Sequence, residues 1–431
     1  MNFLKKQSPV RIISLGFALV ILIGSVLLSL PCSIRDGVTL RYIDALYMST
    51  SAVCVTGLLT VDAGDTLTPL GQFFLGMLIQ VGGLGVTAVG TGVILAMGKK
   101  INLKARNLIR EAGNLDSGKG VIRFIRLVFL TTVTFELAGA ALSFLVFRKS
   151  FPPLKAAGVS LFHSVASFNN SGFDILGGGQ NLIPYQDDIL LNLVTCALVI
   201  FGGIGFLVIR EVIAKRFRWK KLSMHAKVVL FMSLVLTAAG TVLLKLTEDI
   251  TWMGAFFTSV SARTAGFSTF PLGSFSSAGL LTVIVLMVIG ASPGSTGGGI
   301  KTTTCYVLFE GIRSSATNTS EKAFRYAVPA DAFRKAAVIT LLAIGIVLSG
   351  TYILVILEPG VPFLDALFEM SSAFGTAGLS TGISAGLCDA AKILTILIMF
   401  IGRLGPLTIA SLWYFTKGER VSYPEGNIAI G

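Results

Sequence analysis

Four short stretches, each closing on a glycine, interrupt an otherwise apolar chain of 431 residues. Aligned on that glycine they read Val53-Cys54-Val55-Thr56-Gly57-Leu58, Phe168-Asn169-Asn170-Ser171-Gly172-Phe173, Ala262-Arg263-Thr264-Ala265-Gly266-Phe267 and Phe374-Gly375-Thr376-Ala377-Gly378-Leu379. A small residue precedes each glycine, and Leu or Phe follows it. A lipid-facing helix has no use for this pattern. A loop that offers backbone carbonyls to an ion does, because glycine turns the chain without a Cβ clash. Four such loops in one chain imply a single pore assembled from four covalently linked quarters.

The rest of the chain reads as membrane. Hydrophobic residues make up 53% and charged residues 13%, where a soluble domain is roughly one-quarter charged. Apolar runs long enough to cross a bilayer fall near 10–30, 69–97, 121–147, 187–213, 224–246, 278–312, 333–357 and 388–416. That gives eight expected spans. The first lacks a small-x-small cleavage site at Leu30-Pro31 and reads as a retained span. With both termini on one face, that face holds 25 of the 35 Lys and Arg. The positive-inside rule then places both termini in the cytoplasm. The net charge of +13 is therefore topological and does not point to nucleic acid. The opposite face carries Asp36, Asp44, Asp62, Asp65, Asp174 and further acids. They read either as a vestibule that concentrates cations or as ordinary solvated loop charge. Three cations, Arg263, Lys301 and Arg403, fall at membrane depth. The five cysteines show neither paired nor metal-ligand spacing.

Between the two spans of each quarter lies an apolar piece too short to cross: Ile43–Val53, Val159–Phe168, Met253–Ala262 and Phe363–Phe374. Ten residues before each glycine stands an aromatic (Tyr47, Phe162, Phe256, Phe368), and five before it a small residue. The chain is thus expected to be an all-α membrane protein with an internal fourfold repeat. Each repeat runs span, re-entrant helix, filter loop, span, so the copies are parallel and pseudo-fourfold about one central pore. Their expected limits are 1–98, 99–222, 223–326 and 327–431, with filters at 53–58, 168–173, 262–267 and 374–379. Short helices whose C-terminal ends face the centre favour a cation there. The expected ligands are the backbone groups of Val55, Thr56, Gly57, Asn170, Ser171, Gly172, Thr264, Ala265, Gly266, Thr376, Ala377 and Gly378.

The second spans carry Gly82-Gly83, Gly202-Gly203, Gly290-Ala291 and Gly402-Arg403 at matching positions. Glycine there serves close packing or a kink. In the third repeat the run Ser292-Pro293-Gly294-Ser295-Thr296-Gly297-Gly298-Gly299-Ile300-Lys301 cannot remain helical. This interruption, 290–301, is the candidate gate: Gly290, Pro293, Gly294, Ser295, Thr296, Gly297, Gly298, Gly299 and Lys301, together with Arg403. Two arrangements are open for Arg403, as a cationic barrier facing the conduction path or as a partner for carbonyls freed by the broken helix.

On the four single-glycine filters, the broken third-repeat helix and the Gly402–Pro406 run (Gly-Arg-Leu-Gly-Pro), the chain resembles the Trk, Ktr and HKT superfamily of K⁺ transporters over nearly its whole length. Eight spans, with no additional pair at the start, bring it nearest the Ktr membrane subunit. The resemblance implies K⁺ uptake across a bacterial cytoplasmic membrane by a homodimer with one pore per subunit. It also implies a cytosolic ring of nucleotide-binding regulatory subunits; this chain itself binds no cofactor, and K⁺ is its cargo. Two alternatives stay within the fold: a Na⁺-permeable pathway, against which Gly57 argues because some plant members carry serine at this filter position, and a cation-coupled secondary transporter, for which transmembrane Glu136 is the candidate group. Enzyme chemistry is not indicated. The Gly294–Thr302 run misses the P-loop ending by one residue and no soluble strand precedes it, and His163 and His225 belong to no acid–base set.

Overall fold

Every quarter opens with a long apolar helix and passes into a short one that stops at its glycine-centred stretch. In the computed structural model, which describes residues 9–96, 121–329 and 331–411, the first repeat comprises α1 (Pro9–Leu28), α2 (Tyr42–Val53), α3 (Pro69–Leu84) and α4 (Val86–Ala96). The second comprises α5 (Val121–Phe147), α6 (Pro153–Phe168), α7 (Ile189–Ile204) and α8 (Phe206–Ala214). The third is built from α9 (Met224–Thr247), α10 (Trp252–Ala262), α11 (Ser277–Val288) and α12 (Thr302–Thr317). The fourth is built from α13 (Ala332–Leu357), α14 (Phe363–Gly375), α15 (Asp389–Leu404) and α16 (Pro406–Ser411). The basic connection at 97–120 and the ends of the expected spans 69–97 and 388–416 lie outside the described residues.

The helices α1, α5, α9 and α13 are each long and apolar enough to cross a membrane alone. The glycines of the second segments read as close packing or a kink, and a full break is expected only in the third repeat; the structure goes further. All four are interrupted. Gly85, Gly205 and Gly405, at φ of +86°, +96° and +90°, end α3, α7 and α15, and α7 and α8 meet at 97°. The left-handed backbone at these positions suits glycine alone without strain. In the third repeat the residue at the same place is Pro293, and thirteen residues, 289–301, replace the sharp turn. The interruption was legible as a second glycine three residues after the first (Gly82/Gly85, Gly202/Gly205, Gly402/Gly405). Unbroken hydrophobicity on both sides hid it.

The short helices begin and end within a residue of expectation, except α6. It starts at Pro153 because a proline is at home in the first helical turn, well before its apolar face begins. In the first three repeats a glycine of the long helix meets a serine of the short one, whereas in the fourth the atom nearest that glycine belongs to Ile398 of α15. A Cβ added at Gly24, Gly139, Gly240 or Gly350 would lie 2.4 Å from Ser49 Oγ, Ser164 Oγ, Ser259 Oγ or Ile398 Cδ1 respectively. The three serine hydroxyls donate to Ile21 O, Glu136 O and Thr237 O at 2.7, 2.7 and 2.9 Å. Close helix contact through small residues is the usual device in an apolar solvent.

The third copy is out of step by one residue. Ser49 and Ser164 precede the glycines of their stretches by eight residues, Ser259 by seven. In repeats 1, 2 and 4 the residue before the glycine (Thr56, Ser171, Ala377) bonds the carbonyl five back; in repeat 3 Gly266 itself does so, to Ser261 O. The buried aromatic slot is consequently filled by Tyr47, Phe162, Phe257 and Phe368. Phe256, expected there, instead lines a cavity between α7, α9 and α10.

The first and fourth repeats are joined by a buried ion pair, Lys392 Nζ to Asp44 Oδ1 at 2.7 Å, with both side chains nearly inaccessible. Asp44 also accepts from Arg41, which reaches Asp389. Asp44, which reads in sequence either as a vestibule acid or as loop charge, is instead part of the wall between these repeats. Between α12 and α13 a two-residue hairpin pairs Lys322–Ala323 with Tyr326–Ala327.

Candidate functional site

The four glycine-centred stretches close on one another in chain order. A Cβ on Gly57 would lie 2.4 Å from Ser171 O, one on Gly172 2.8 Å from Ala265 O, one on Gly266 2.7 Å from Ala377 O, and one on Gly378 2.0 Å from Thr56 O. Each glycine therefore abuts the carbonyl of the residue before the next glycine, and the fourth returns to the first. This ring has no room for a side chain at any of its four glycines.

The backbone repeats a second feature. Two residues before each glycine, Val55, Asn170, Thr264 and Thr376 have φ of +57°, +58°, +75° and +49°, and the glycines have +98°, +69°, +79° and +82°. Left-handed conformations alternate with an ordinary one, which turns successive carbonyls towards the same side of the strand. A positive φ is a strained state for β-branched residues, and Val55, Thr264 and Thr376 all adopt it. The types Val, Asn, Thr and Thr share no signal from which sequence could read this. All twelve expected ligand residues are buried except Gly378, which is half-buried.

On one side of the ring lies a cavity of about 490 Å³ lined by Gly57, Gly266, Gly378, Asp62, Asp174 and Asn181, among others. Asp174 is 9% exposed. Burial, reinforced by Asp62 and Asp65, raises its pKa to about 6, against the pull of the Leu176 N–H and the Asn181 amide. The acidic residues that line this cavity are Asp62 and Asp174; Asp44 is committed to Lys392.

On the other side lies the interruption 289–301. Gly290 and Gly297–Gly298 pack against one another and against the glycine-centred stretches: a Cβ on Gly290 would lie 2.3 Å from Gly298 O, one on Gly297 2.1 Å from Thr264 Oγ1, and one on Gly298 2.5 Å from Thr376 Oγ1. Ser292 N and Thr296 N donate to Gly203 O and Gly202 O at 3.0 and 3.3 Å, while Gly294 O accepts from Phe206 N at the start of α8. Pro293 O faces Gly205, Ser295 Oγ closes back on Ser292 O, and Gly299 takes φ +68°. Lys301 Nζ donates to Gly297 O and Gly298 O at 2.8 and 3.3 Å.

Arg403 adopts the second of its two arrangements. Its guanidinium donates to Thr296 O, and to Gly82 O and Gly83 O at 2.5 and 3.4 Å. It thereby ties the interruption, through Thr296 O, to the last turn of α3 at Gly82 and Gly83, where Gly82 O also accepts from Gly85 N. Arg263, the third deep cation, donates to Ser233 O and Thr237 Oγ1 on α9 at 3.0 and 3.3 Å, away from the ring. Glu136 accepts amide hydrogens from Gln80 and Asn169 at 3.3 and 3.1 Å. His163 Nε2 meets Thr195 Oγ1 at 2.9 Å, a packing role.

A mostly helical assembly with four helices long and apolar enough to cross a membrane, and four short helices that end at a tight glycine ring, is the architecture of a membrane protein. Residues 10–416 match the TrkH family, described as cation transport protein, and the chain belongs to that family. It is 36% identical to the Ktr system potassium uptake protein B of Bacillus subtilis (strain 168), with 98% of this chain and 97% of that protein covered. It is 35% identical to the potassium/sodium uptake protein NtpJ of Enterococcus hirae, covering 99% and 98%. The fold is similar to that of the crystal structure of the potassium transporter TrkH from Vibrio parahaemolyticus, at a TM-score of 0.75 and 19% identity over 95% of this chain and 86% of that one.

Proposed function

We propose that this chain takes up K⁺ across the cell membrane by conduction through the glycine ring. Each broken second segment (α3–α4, α7–α8, α11–α12, α15–α16) counts as one span, so that eight spans surround the pore with pseudo-fourfold symmetry. The carbonyls of residues 55–57, 170–172, 264–266 and 376–378 replace the hydration shell of K⁺. The single observation that carries this reading is the closed order of contacts Gly57–Ser171, Gly172–Ala265, Gly266–Ala377 and Gly378–Thr56. The names of the related proteins from Bacillus subtilis and Enterococcus hirae support the choice of ion.

The interruption 289–301 is the gate and Arg403 its latch. Permeation requires the loop to leave the inner face of the ring, where it now meets Thr264 and Thr376. Both termini face the cytoplasm, the chain pairs as a homodimer, and a cytosolic ring of nucleotide-binding subunits acts on the gate from below. The word sodium in the Enterococcus hirae protein's name favours one second reading, passage of Na⁺ along the same path.

The deciding experiment is uptake of Rb⁺, as a K⁺ surrogate, into proteoliposomes that hold the full chain. The reading expects competition by K⁺ at concentrations well below those at which Na⁺ competes. Equal competition by both ions supports the second reading, and no uptake above protein-free vesicles contradicts both.

A further inference from the structure

Of the four filter glycines, one has its carbonyl held by a side chain. Asn181 Nδ2 donates to Gly172 O at 3.1 Å and to Asp174 Oδ2 at 3.0 Å. Its Oδ1 accepts from its own neighbour Leu182 N at 2.9 Å and from Ser268 N, in the third repeat, at 3.0 Å. Leu182 N also reaches Ser268 O at 3.1 Å. Among the described residues, the carbonyls of Gly57, Gly266 and Gly378 accept no protein hydrogen bond.

This geometry asks for one residue type. A primary amide offers two hydrogens and one acceptor oxygen on a single short arm. Asn181 uses both hydrogens, and its backbone sits at φ +52°, a conformation that Asn tolerates better than most residues. The loop that carries it is clamped from the other direction too. Asp65 Oδ2 and Asp62 Oδ2 of the first repeat accept from Gly178 N and Gly179 N, each at 2.7 Å. The segment 174–182 thus spans repeats 1 to 3 around the vestibule, with Asn181 at its inner end.

We propose that Asn181 is a positioning residue for ion discrimination: it fixes the direction of the Gly172 carbonyl and couples the second filter strand to the third through Ser268. A carbonyl that accepts one amide hydrogen keeps a second lone pair for an ion. Its freedom to swing inward is what the bond removes. A ring that cannot contract around a smaller ion disfavours Na⁺ through the size of its opening. The inference deepens the potassium-pathway reading and rests on it.

The experiment compares wild type with Asn181→Ala and Asn181→Asp, purified as full chains, in Rb⁺ uptake with Na⁺ as competitor. Asn181→Asp keeps the acceptor for Leu182 N and Ser268 N and loses the donor to Gly172 O. Both variants are expected to lose Rb⁺-over-Na⁺ discrimination by about three- to tenfold, the range one neutral hydrogen bond commands, with maximal Rb⁺ uptake per folded protein little changed. The double variant Asp174→Asn/Asn181→Asp restores an amide–carboxylate pair but leaves Gly172 O without a donor, so it should remain unselective. Recovery in the double variant, unchanged selectivity in Asn181→Asp, or its failure to yield folded protein overturns the inference. A wild type that does not discriminate would instead overturn the potassium reading on which it rests.

Discussion

At the scale of single residues, Arg403 shows how position alone leaves a role open. An arginine aligned with Gly83, Gly203 and Ala291 is recognisable in sequence as costly and purposeful. Which way it points depends on how α3 ends at Gly82 and Gly83 before the turn at Gly85, and a glycine pair reads equally as close packing or a kink. Its donation to Thr296 O and Gly82 O supports the latch proposed for it, with each charged hydrogen bond worth about 1.5–3 kcal/mol. Arg403→Ala should therefore raise Rb⁺ uptake by roughly tenfold, since 1.4 kcal/mol is a factor of ten, with ion discrimination intact. Arg403→Lys should fall between, because one ammonium cannot span both carbonyls. Wild-type uptake by well-folded Arg403→Ala would remove the latch from the account. Asp174 makes a different kind of statement. Its pKa of about 6, raised by burial and by Asp62 and Asp65, means that it is largely ionised at pH 7.5 and protonated at pH 5. The raised value makes the ionised form the less favourable one in the fold, so its contribution to stability improves as pH falls through about 6. The vestibule meanwhile loses one negative charge, and the apparent affinity for Rb⁺ should weaken over that same interval. In Asp174→Asn that step should be missing; a wild-type profile flat from pH 7.5 to 5 would contradict it.

Among the elements, the short helices and their glycine-centred ends were the most legible part of the chain, because four copies reinforced one another. What periodicity missed was phase. Counting back from Gly266 selects Phe256, yet packing selects Phe257, since the third strand reaches its glycine one residue sooner. A repeat found by residue type fixes neighbours only where no insertion or deletion lies between them, and contacts such as Ser259 to Thr237 O arbitrate. The interruption 289–301 was recognisable from its Pro and Gly content. Its target was not, because nothing in Gly297 or Gly298 names Thr264 or Thr376 as partner. Removing Gly294–Gly297 deletes the contacts to Phe206 N, Gly202 O and Thr264 while leaving the four strands untouched. Rb⁺ flux is expected to rise with discrimination preserved. A fall in flux at preserved discrimination, in folded protein, would mark the segment as structural support.

For the whole molecule, the ring is a property that no one quarter possesses. Each strand supplies a glycine and the carbonyl before it, and closure depends on four copies meeting in order, sealed between the last and the first by Lys392 and Asp44. Sequence could predict that four loops converge. It could not predict the contact rule, in which each glycine meets the carbonyl preceding the next. That rule makes a strong demand: a side chain at any of Gly57, Gly172, Gly266 or Gly378 combines a backbone cost of about 1–2 kcal/mol for left-handed geometry with a collision against a neighbouring strand. The measurement that tests this most directly is the Rb⁺/Na⁺ uptake ratio of the four single Gly→Ser variants in proteoliposomes, beside Gly360→Ala, where a Cβ meets nothing within 4 Å. The account predicts that all four serine variants lose discrimination and that Gly360→Ala keeps it. Four folded serine variants with the wild-type ratio would show that ions do not pass through the ring.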